Sequence, residues 1–377
     1  MTKLEQFKRT CRKWLYIEDM EYIDVVFGVA FANRQDAKPV WLYLVGPPGS
    51  GKTEIIQAWD GHPSVYAVSG LTAHTLLSGH IVEPGKPDPS LAPKLNDLIL
   101  VIKDFTTILQ KPNDEVAEIA GQLRDLWDGT ARNTYGTGKG TRYETKFGII
   151  AAVTSDIDRH LRLLGSLGER FLTYRLPELS EEEVHQRCKI AMACQSSRKQ
   201  EEEIRKSAHL LLSADLPEAK APPETLDLME ELATCIAILR TGVKRGRYSE
   251  ILEVPEPEVP TRLSKQLVSL MKGIATVREK RVADADDAKT AVRCGFGAVT
   301  RSRMNVLKYL TEKYPETVNL HAMENETGLP PSTLRTWMGD LRLLGVVQKS
   351  KMDSKPTTPY DWALVSKFGD FLRRWLI

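Results

Sequence analysis

Apolar positions change their spacing along the chain, and the spacing separates the elements. Phe7, Cys11, Trp14 and Leu15 recur at helical intervals, as do Tyr22, Val25, Val26 and Val29, so residues 4 to 33 are expected to be helical. Asn33 to Pro39 is a polar connector. Val40 to Val45 is a continuous apolar run, the pattern of a strand buried on both faces. Ser64 to Ser69 gives a second strand, and Leu98 to Ile102, LILVI, is the most strand-like stretch of the chain. Between them, Pro84, Pro87, Pro89 and Pro93 mark a loop. Glu115 to Trp127 has an amphipathic helical period, and Gly148 to Val153 is a further strand. Between these two lies RNTYGTGKGTRYETKF, Arg132 to Phe147, where Tyr135 and Tyr143 flank a glycine-rich centre. That pattern predicts a β-hairpin with Lys139 at its tip and Arg132, Arg142 and Lys146 on its arms.

From Ser180 the pattern turns helical, opened by a capping box of Ser180 with Glu183. Leu216 to Pro223 is a break, Leu226 to Thr241 another helix, and GVKRGRY, Gly242 to Tyr248, a basic turn. Pro255 to Pro260 is a stiff acidic linker. Thr261 then caps a helix carrying Arg262, Leu263, Gln266, Leu267, Leu270 and Met271. In the last part, Met304, Val306, Leu307 and Leu310 mark a helix, Asn319 to Glu326 a second, and Ser332 to Leu344 a third. Two strand-like runs follow, Gly345 to Lys349 and Tyr360 to Leu364, around a Lys/Pro/Thr loop.

At 377 residues, two or three domains are expected. The boundaries read as a helical arm over 1–37, a core over 38–179, a helical lid over 180–283, a linker over 284–300 and a terminal module over 301–377. A net charge of +2 commits the whole chain to no polyanion, so any basic surface is local. The module 301–377 has 12 Lys and Arg against 8 Asp and Glu. Five cysteines, Cys11, Cys188, Cys194, Cys235 and Cys294, show no C-x-x-C spacing. A zinc site or disulfide framework is not expected, and the usage suits a reducing, cytoplasmic setting. The apolar run Val25 to Ala32 is too short to span a bilayer, and no signal-peptide pattern opens the chain.

The chemistry concentrates after Val45, where Gly46, Pro47, Pro48, Gly49, Ser50, Gly51, Lys52, Thr53 form a complete G-x-x-x-x-G-K-[ST] motif. It follows a strand and leads through Glu54 into a helix, the context the motif requires. The glycines free the backbone so that successive N–H groups point inward at phosphate oxygens. Lys52 reaches the β- and γ-phosphates and Thr53 binds Mg²⁺. The motif therefore predicts a nucleoside triphosphate site, with ATP and Mg²⁺ as ligands. Asp104, after the strand LILVI, falls at a strand's carboxyl end, where ligands of parallel sheets gather. It is the candidate second metal group.

Strand, P-loop, Walker B strand, polar-ended strand and the box Leu167 to Leu176, in this order, resemble an AAA+ ATPase over roughly residues 38–282. The resemblance implies an α/β fold: an AAA+ P-loop core with a parallel sheet and an all-α lid. It implies that Thr154 or Ser155 is the sensor 1 group and that Arg170 is an arginine finger, with Arg159 and Arg162 as competitors. It implies a sensor 2 role for Arg262. The hairpin before the sensor 1 strand and the segment GLTA, Gly70 to Ala73, look similar to the minichromosome-maintenance (MCM) branch of replicative helicases. In that branch such hairpins line a pore and touch DNA, here through Lys139 and Arg142. The terminal module resembles a winged helix, which implies DNA contacts by Ser332, Thr333, Arg335 and Thr336 on the third helix. Lys349, Lys351 and Lys355 on the wing would meet phosphate.

One departure stands out. AAA+ Walker B strands end Asp-Glu, and this chain has Lys103-Asp104, followed by Phe105. Either the metal aspartate or the general base is displaced, and a positioned base contributes roughly 10²–10⁴-fold. The expected activity is ATP hydrolysis by a ring-forming homo-oligomer, a hexamer, acting on DNA as a motor or remodeller, with a replication or mobile-element partner protein. The motif set is also similar to proteins of phages and integrating elements. The alternative is a nucleotide-gated DNA-binding switch that recruits a partner, or a transcriptional regulator using AAA+ assembly.

Overall fold

The computed structural model describes residues 1–78, 89–134, 140–160, 170–193, 197–247, 250–351 and 360–376. These fall into two compact units, Met1–Met229 with Lys265–Gly297, and Glu230–Ser264 with Ala298–Ile377.

The first unit opens with α1 (Lys3–Trp14) and α2 (Glu21–Ala32). The single helical run expected over 4–33 is interrupted because Leu15 is extended, its N–H closing α1 on the Cys11 carbonyl at 2.7 Å. There follow β1 (Trp41–Val45), α3 (Lys52–Gln57), β2 (Val65–Val68), α4 (Ala73–Leu76), β3 (Ile99–Ile102), α5 (Thr106–Leu109) and α6 (Asn113–Asp128). Next come β4 (Thr130–Thr134), β5 (Gly140–Glu144), β6 (Gly148–Val153), β7 (Phe171–Arg175), α7 (Glu181–Ala193) and α8 (Ser197–Leu212). The helices α9 (Pro223–Arg240) and α10 (Thr261–Val277) each cross the division between the units, and α11 (Ala285–Phe296) closes the first.

The architecture is α/β, with a five-stranded sheet in the order β2-β3-β6-β1-β7 and every pairing parallel. Strands β1, β3 and β6 are buried along their whole length, as apolar runs in a sheet covered on both faces must be. Chain order reverses around β1, which lies between β6 and β7, so the sheet has its topological switch point there. Strands β4 and β5 pair apart as an antiparallel ribbon with Arg132 opposite Arg142. The ribbon carries Arg132 and Arg142 of the expected arms, Lys146 falls in the connection between β5 and β6 because pairing stops at Glu144, and Lys139 with the rest of the tip lies outside the described residues.

Helix α2 is buried from Tyr22 to Ala32, because its apolar residues circle the helix instead of lining one face. Two glycines let it approach α10. A Cβ on Gly28 would meet the Ile274 side chain at 2.6 Å, and one on Gly273 would strike the Gly28 carbonyl. Ion pairs fasten the layer. Asp24 of α2, 2 % exposed, takes Lys8 from α1 and Arg278, at 2.7 Å, from the end of α10. Arg278 also holds Asp287 of α11 at 2.7 Å. Residues 284–300, expected as a linker, instead include α11. Asp284 caps it by accepting from the Asp286 and Asp287 amides, and Ala288, Ala291, Val292 and Cys294 bury a stripe of small apolar side chains.

The second unit continues with α12 (Arg301–Lys313), β8 (Val318–Asn319), α13 (Leu320–Thr327), α14 (Pro331–Leu343), β9 (Val347–Lys351), β10 (Tyr360–Leu364) and α15 (Ser366–Trp375). Its sheet is antiparallel in the order β8-β10-β9. Three helices and a ribbon occur where the sequence pattern put them. The additions are the short β8 and α15, which buries Phe368, Phe371 and Leu372 at i, i+3 and i+4. Buried Arg303 donates to the Leu239 and Thr241 carbonyls at 2.8 and 2.7 Å, closing the end of α9. Buried Asp340 of α14 takes ion pairs from Arg245 and Arg303. Among the described residues, no helix is long and apolar enough to cross a membrane.

Candidate functional site

The carboxyl ends of β1, β3 and β6 converge, and their last hydrogen bonds fix the loops that leave them. The Gly46 amide donates to the Val153 carbonyl at 3.1 Å, Leu176 to Val45 at 2.8 Å, and Phe105 to Ala152 at 2.7 Å. Loop 46–53 therefore starts in line with the sheet, beside the start of the β6 loop. Gly49 and Gly51 take φ of +71° and +81°, values that penalise any side chain. Pro47, Pro48 and Gly49 are exposed at the crest, and Ser50 Oγ is buried without a hydrogen-bond partner among the described residues. Lys52 opens α3 and folds back over the loop, its Nζ donating to the Gly46 and Pro47 carbonyls at 3.1 and 3.0 Å. Thr53 is half-buried beside it and Glu54 is exposed. The loop is backed by α2, whose buried Tyr22 hydroxyl donates to the Gly51 carbonyl at 3.4 Å.

Electrostatics link these groups. Burial holds the Lys52 ammonium below its ordinary range; the Asp104 and Glu54 carboxylates pull it up, and Arg187 pushes it further down. Asp104 is exposed after β3, and its Oδ1 accepts from the Thr106 amide at 2.9 Å. Lys103 turns away and pairs with Asp60 at 3.2 Å, so it does not stand beside Asp104 as a competing cation. Phe105 is core, 1 % exposed, its ring 5.1 Å from that of Tyr43. It supplies no general base.

A carboxylate does arrive from the neighbouring strand. The Thr106 hydroxyl donates to Thr154 Oγ1 at 3.4 Å, and the Thr154 hydroxyl donates to Asp156 Oδ2 at 3.5 Å. The Thr154 amide donates to the Thr106 hydroxyl at 3.2 Å. Asp104, Thr106, Thr154 and Asp156 thus form one chain of contacts across the ends of β3 and β6. Ser155 is exposed beside it, at the head of the short 3₁₀ turn Ser155–Arg159. Sequence reasoning missed Asp156, although its position two residues beyond Thr154 was the available signal.

It also missed Arg187. This residue lies on α7, far along the chain, yet a Cβ on Gly51 would collide with its guanidinium. Arg187, Pro47 and Ser50 share a recess of about 30 Å³ with Tyr22, Asp19 and Leu176. No residue of α7 is buried, so the helix is only lightly attached where it meets the loop. Nothing in the local sequence marks Arg187, because only the fold brings it to the loop.

Other candidates lie elsewhere. Arg170 precedes β7, at the end of the strand opposite to loop 46–53. It is 6 % exposed and pairs with Asp128 at 2.8 Å. Arg159 is exposed and pairs with Asp156 at 3.3 Å, while Arg162 lies outside the described residues. Arg262 belongs to the second unit. Arg142 is exposed and pairs with Glu144 at 2.8 Å. On α14, Ser332 and Arg335 are exposed and Thr333 is half-buried; Lys349 and Lys351 lie on β9, and Lys355 is outside the described residues.

Among the described residues, no three His, Cys, Asp or Glu side chains gather as a metal cluster. Mg²⁺ does not require one, since it keeps several waters and takes one or two carboxylates plus substrate phosphates. An exposed Asp104 whose charge is felt by Lys52, with the Thr53 hydroxyl at the loop, fits that demand. No family model matches the chain, and a search of curated proteins finds no match.

Proposed function

We propose that the chain is an ATPase of AAA+ type, with ATP and Mg²⁺ bound at loop 46–53, acting on DNA as a motor or remodeller. The supporting observation is the convergence of Lys52, Asp104 and Thr154 at the ends of three adjacent parallel strands, around a loop with two left-handed glycines. In this reading the 46–53 amides cradle the phosphates. Lys52 leaves the Gly46 and Pro47 carbonyls for phosphate oxygens. Thr53 and Asp104 would hold Mg²⁺, which would neutralise charge on the phosphates. Thr154 orients water, and Asp156 takes the proton that the absent Walker B glutamate would take. Arg187 reads the γ-phosphate from α7, whose light packing lets it move as nucleotide enters the narrow recess.

In this reading the DNA contacts are Arg142 on the ribbon, Lys139 in the tip segment outside the described residues, and the α14 face of a winged helix. A homo-oligomeric ring, a hexamer, follows from the MCM-like resemblance. Arg170 is engaged in its own chain, so a role on a neighbouring subunit requires release of Asp128. Recovered turnover in mixtures of Arg170→Ala and Lys52→Ala chains would support that role, and no recovery would remove it.

A second reading is a nucleotide-gated switch without turnover, favoured by Phe105 buried at the position of the usual base. The two separate in an Asp156→Asn variant assayed with a fluorescent ATP analogue and by phosphate release. The ATPase reading expects retained binding and turnover lowered roughly 10²–10⁴-fold. Binding without turnover in the unaltered protein would leave the switch.

A further inference from the structure

The second unit contains a groove built from elements far apart in sequence. One wall is the face of α14 that carries Arg335, Gly339 and Arg342, spaced i, i+4 and i+7. The other is the ribbon of β9 and β10, with Lys349, Tyr360 and Trp362. Lys349 lies directly opposite Trp362 in the ribbon. Its ammonium stands 3.4 Å from the Tyr360 ring centroid and 5.4 Å from that of Trp362. Tyr360 is 44 % exposed, whereas Trp362 is 6 % exposed and its buried Nε1–H has no acceptor among the described residues. Gly339 keeps the helical wall open: the nearest atom to a Cβ there is an Arg245 guanidinium nitrogen at 3.8 Å. The groove encloses about 1340 Å³, more than the about 300–1,000 Å³ of small-molecule sites, so a polymer segment suits it better.

We infer that this groove binds single-stranded nucleic acid, with a base stacked on Tyr360 in place of the Lys349 ammonium and backbone phosphates on Lys349, Arg335 and Arg342. A basic groove with an aromatic platform is the combination that unpaired strands use, because every base has a π-face to stack. A duplex hides those faces inside its stack. Glu324 and Asp361 also line the groove. They can accept hydrogen bonds from exocyclic amines, such as that of cytosine. The inference rests on the proposed DNA contact of the α14 face and specifies the strand it takes as unpaired, and it does not depend on ATP.

The test is fluorescence anisotropy on the full chain with labelled 20-mers of oligo(dT), oligo(dC), oligo(rU) and a mixed-sequence duplex, with polyglutamate as competitor. Tyr360→Ala is expected to weaken single-strand binding about 5- to 150-fold and leave duplex binding unchanged, with Tyr360→Phe restoring it. Arg342→Ala should lower the salt dependence of single-strand affinity by about one phosphate contact. Either sugar supports the inference, and the tighter homopolymer names the strand. A Lys52→Ala chain should bind single strands as the unaltered protein does, even if ATP turnover proves absent. Unchanged single-strand affinity in Tyr360→Ala would overturn the inference. So would a preference for duplex with equal loss in that variant, or displacement of every oligonucleotide by polyglutamate at equal charge.

Discussion

Loop 46–53 in the first unit and the groove in the second are built in opposite ways. The loop is made of backbone: two left-handed glycines, the ends of parallel strands and carbonyls that hold Lys52. The groove is made of side chains that helix and ribbon periodicity bring to facing walls. A backbone site depends on sequence-local conformation and gives a contiguous motif. A side-chain site depends on tertiary packing and leaves only scattered residues in the sequence. Damage to the two should therefore look different. Small changes in the loop should remove chemistry at little cost in stability, and damage to the packing beneath the groove should do the reverse.

The largest contrast is expected from Lys52→Ala, which should abolish ATP turnover while the melting transition stays close to that of the unaltered chain. A shared loss of fold would break the comparison. Next is Asp340→Ala, which leaves Arg303 buried without its carboxylate. Breaking a buried pair from one side costs about 3–5 kcal/mol. Urea unfolding should show that loss in the second unit, with ATP binding retained in the first. Gly51→Ala is smaller: a side chain in the left-handed region costs about 1–2 kcal/mol. Its Cβ also meets Arg187, so nucleotide affinity should fall further than stability does, and Arg187→Ala should recover part of it.

The smallest effect concerns pH and separates the site from its surroundings. His62 is buried between Ser64 and Ser213, at 2.8 and 3.0 Å. Burial lowers its pKa below 6.5, with His209 and Arg34 acting in the same direction. Between the lowered value and 6.5 the unfolded chain binds more protons, so stability rises with pH through that window and is lost as pH falls through it. His62→Gln should flatten this slope in thermal melts without changing turnover at pH 7. An unaltered slope would assign the acid sensitivity to other groups.

The sheet was legible because β1, β3 and β6 are apolar runs that only a doubly covered parallel sheet accommodates. Loop 46–53 was legible for the same local reason. Helix α11 was not, because its stripe of alanines, Val292 and Cys294 is too weakly apolar to stand out from a linker. The break at Leu15 was also hidden, since apolar spacing continued on both sides of it. Arg187 and Asp156 were invisible in different degrees. One reaches the loop from a distant helix, and the other follows Thr154 but gains meaning only through the contacts joining it to Thr106. Arg170 shows the converse case: a motif position that the fold buries against Asp128.

The most direct test of the central claim is steady-state ATP turnover by the purified full chain, with and without single- and double-stranded DNA, beside Lys52→Ala and Asp104→Ala. The account predicts turnover that rises with DNA and disappears in both variants, with Asp104 sufficient despite Lys103 beside it in sequence. Tight ATP binding with no turnover under any of these conditions would contradict it.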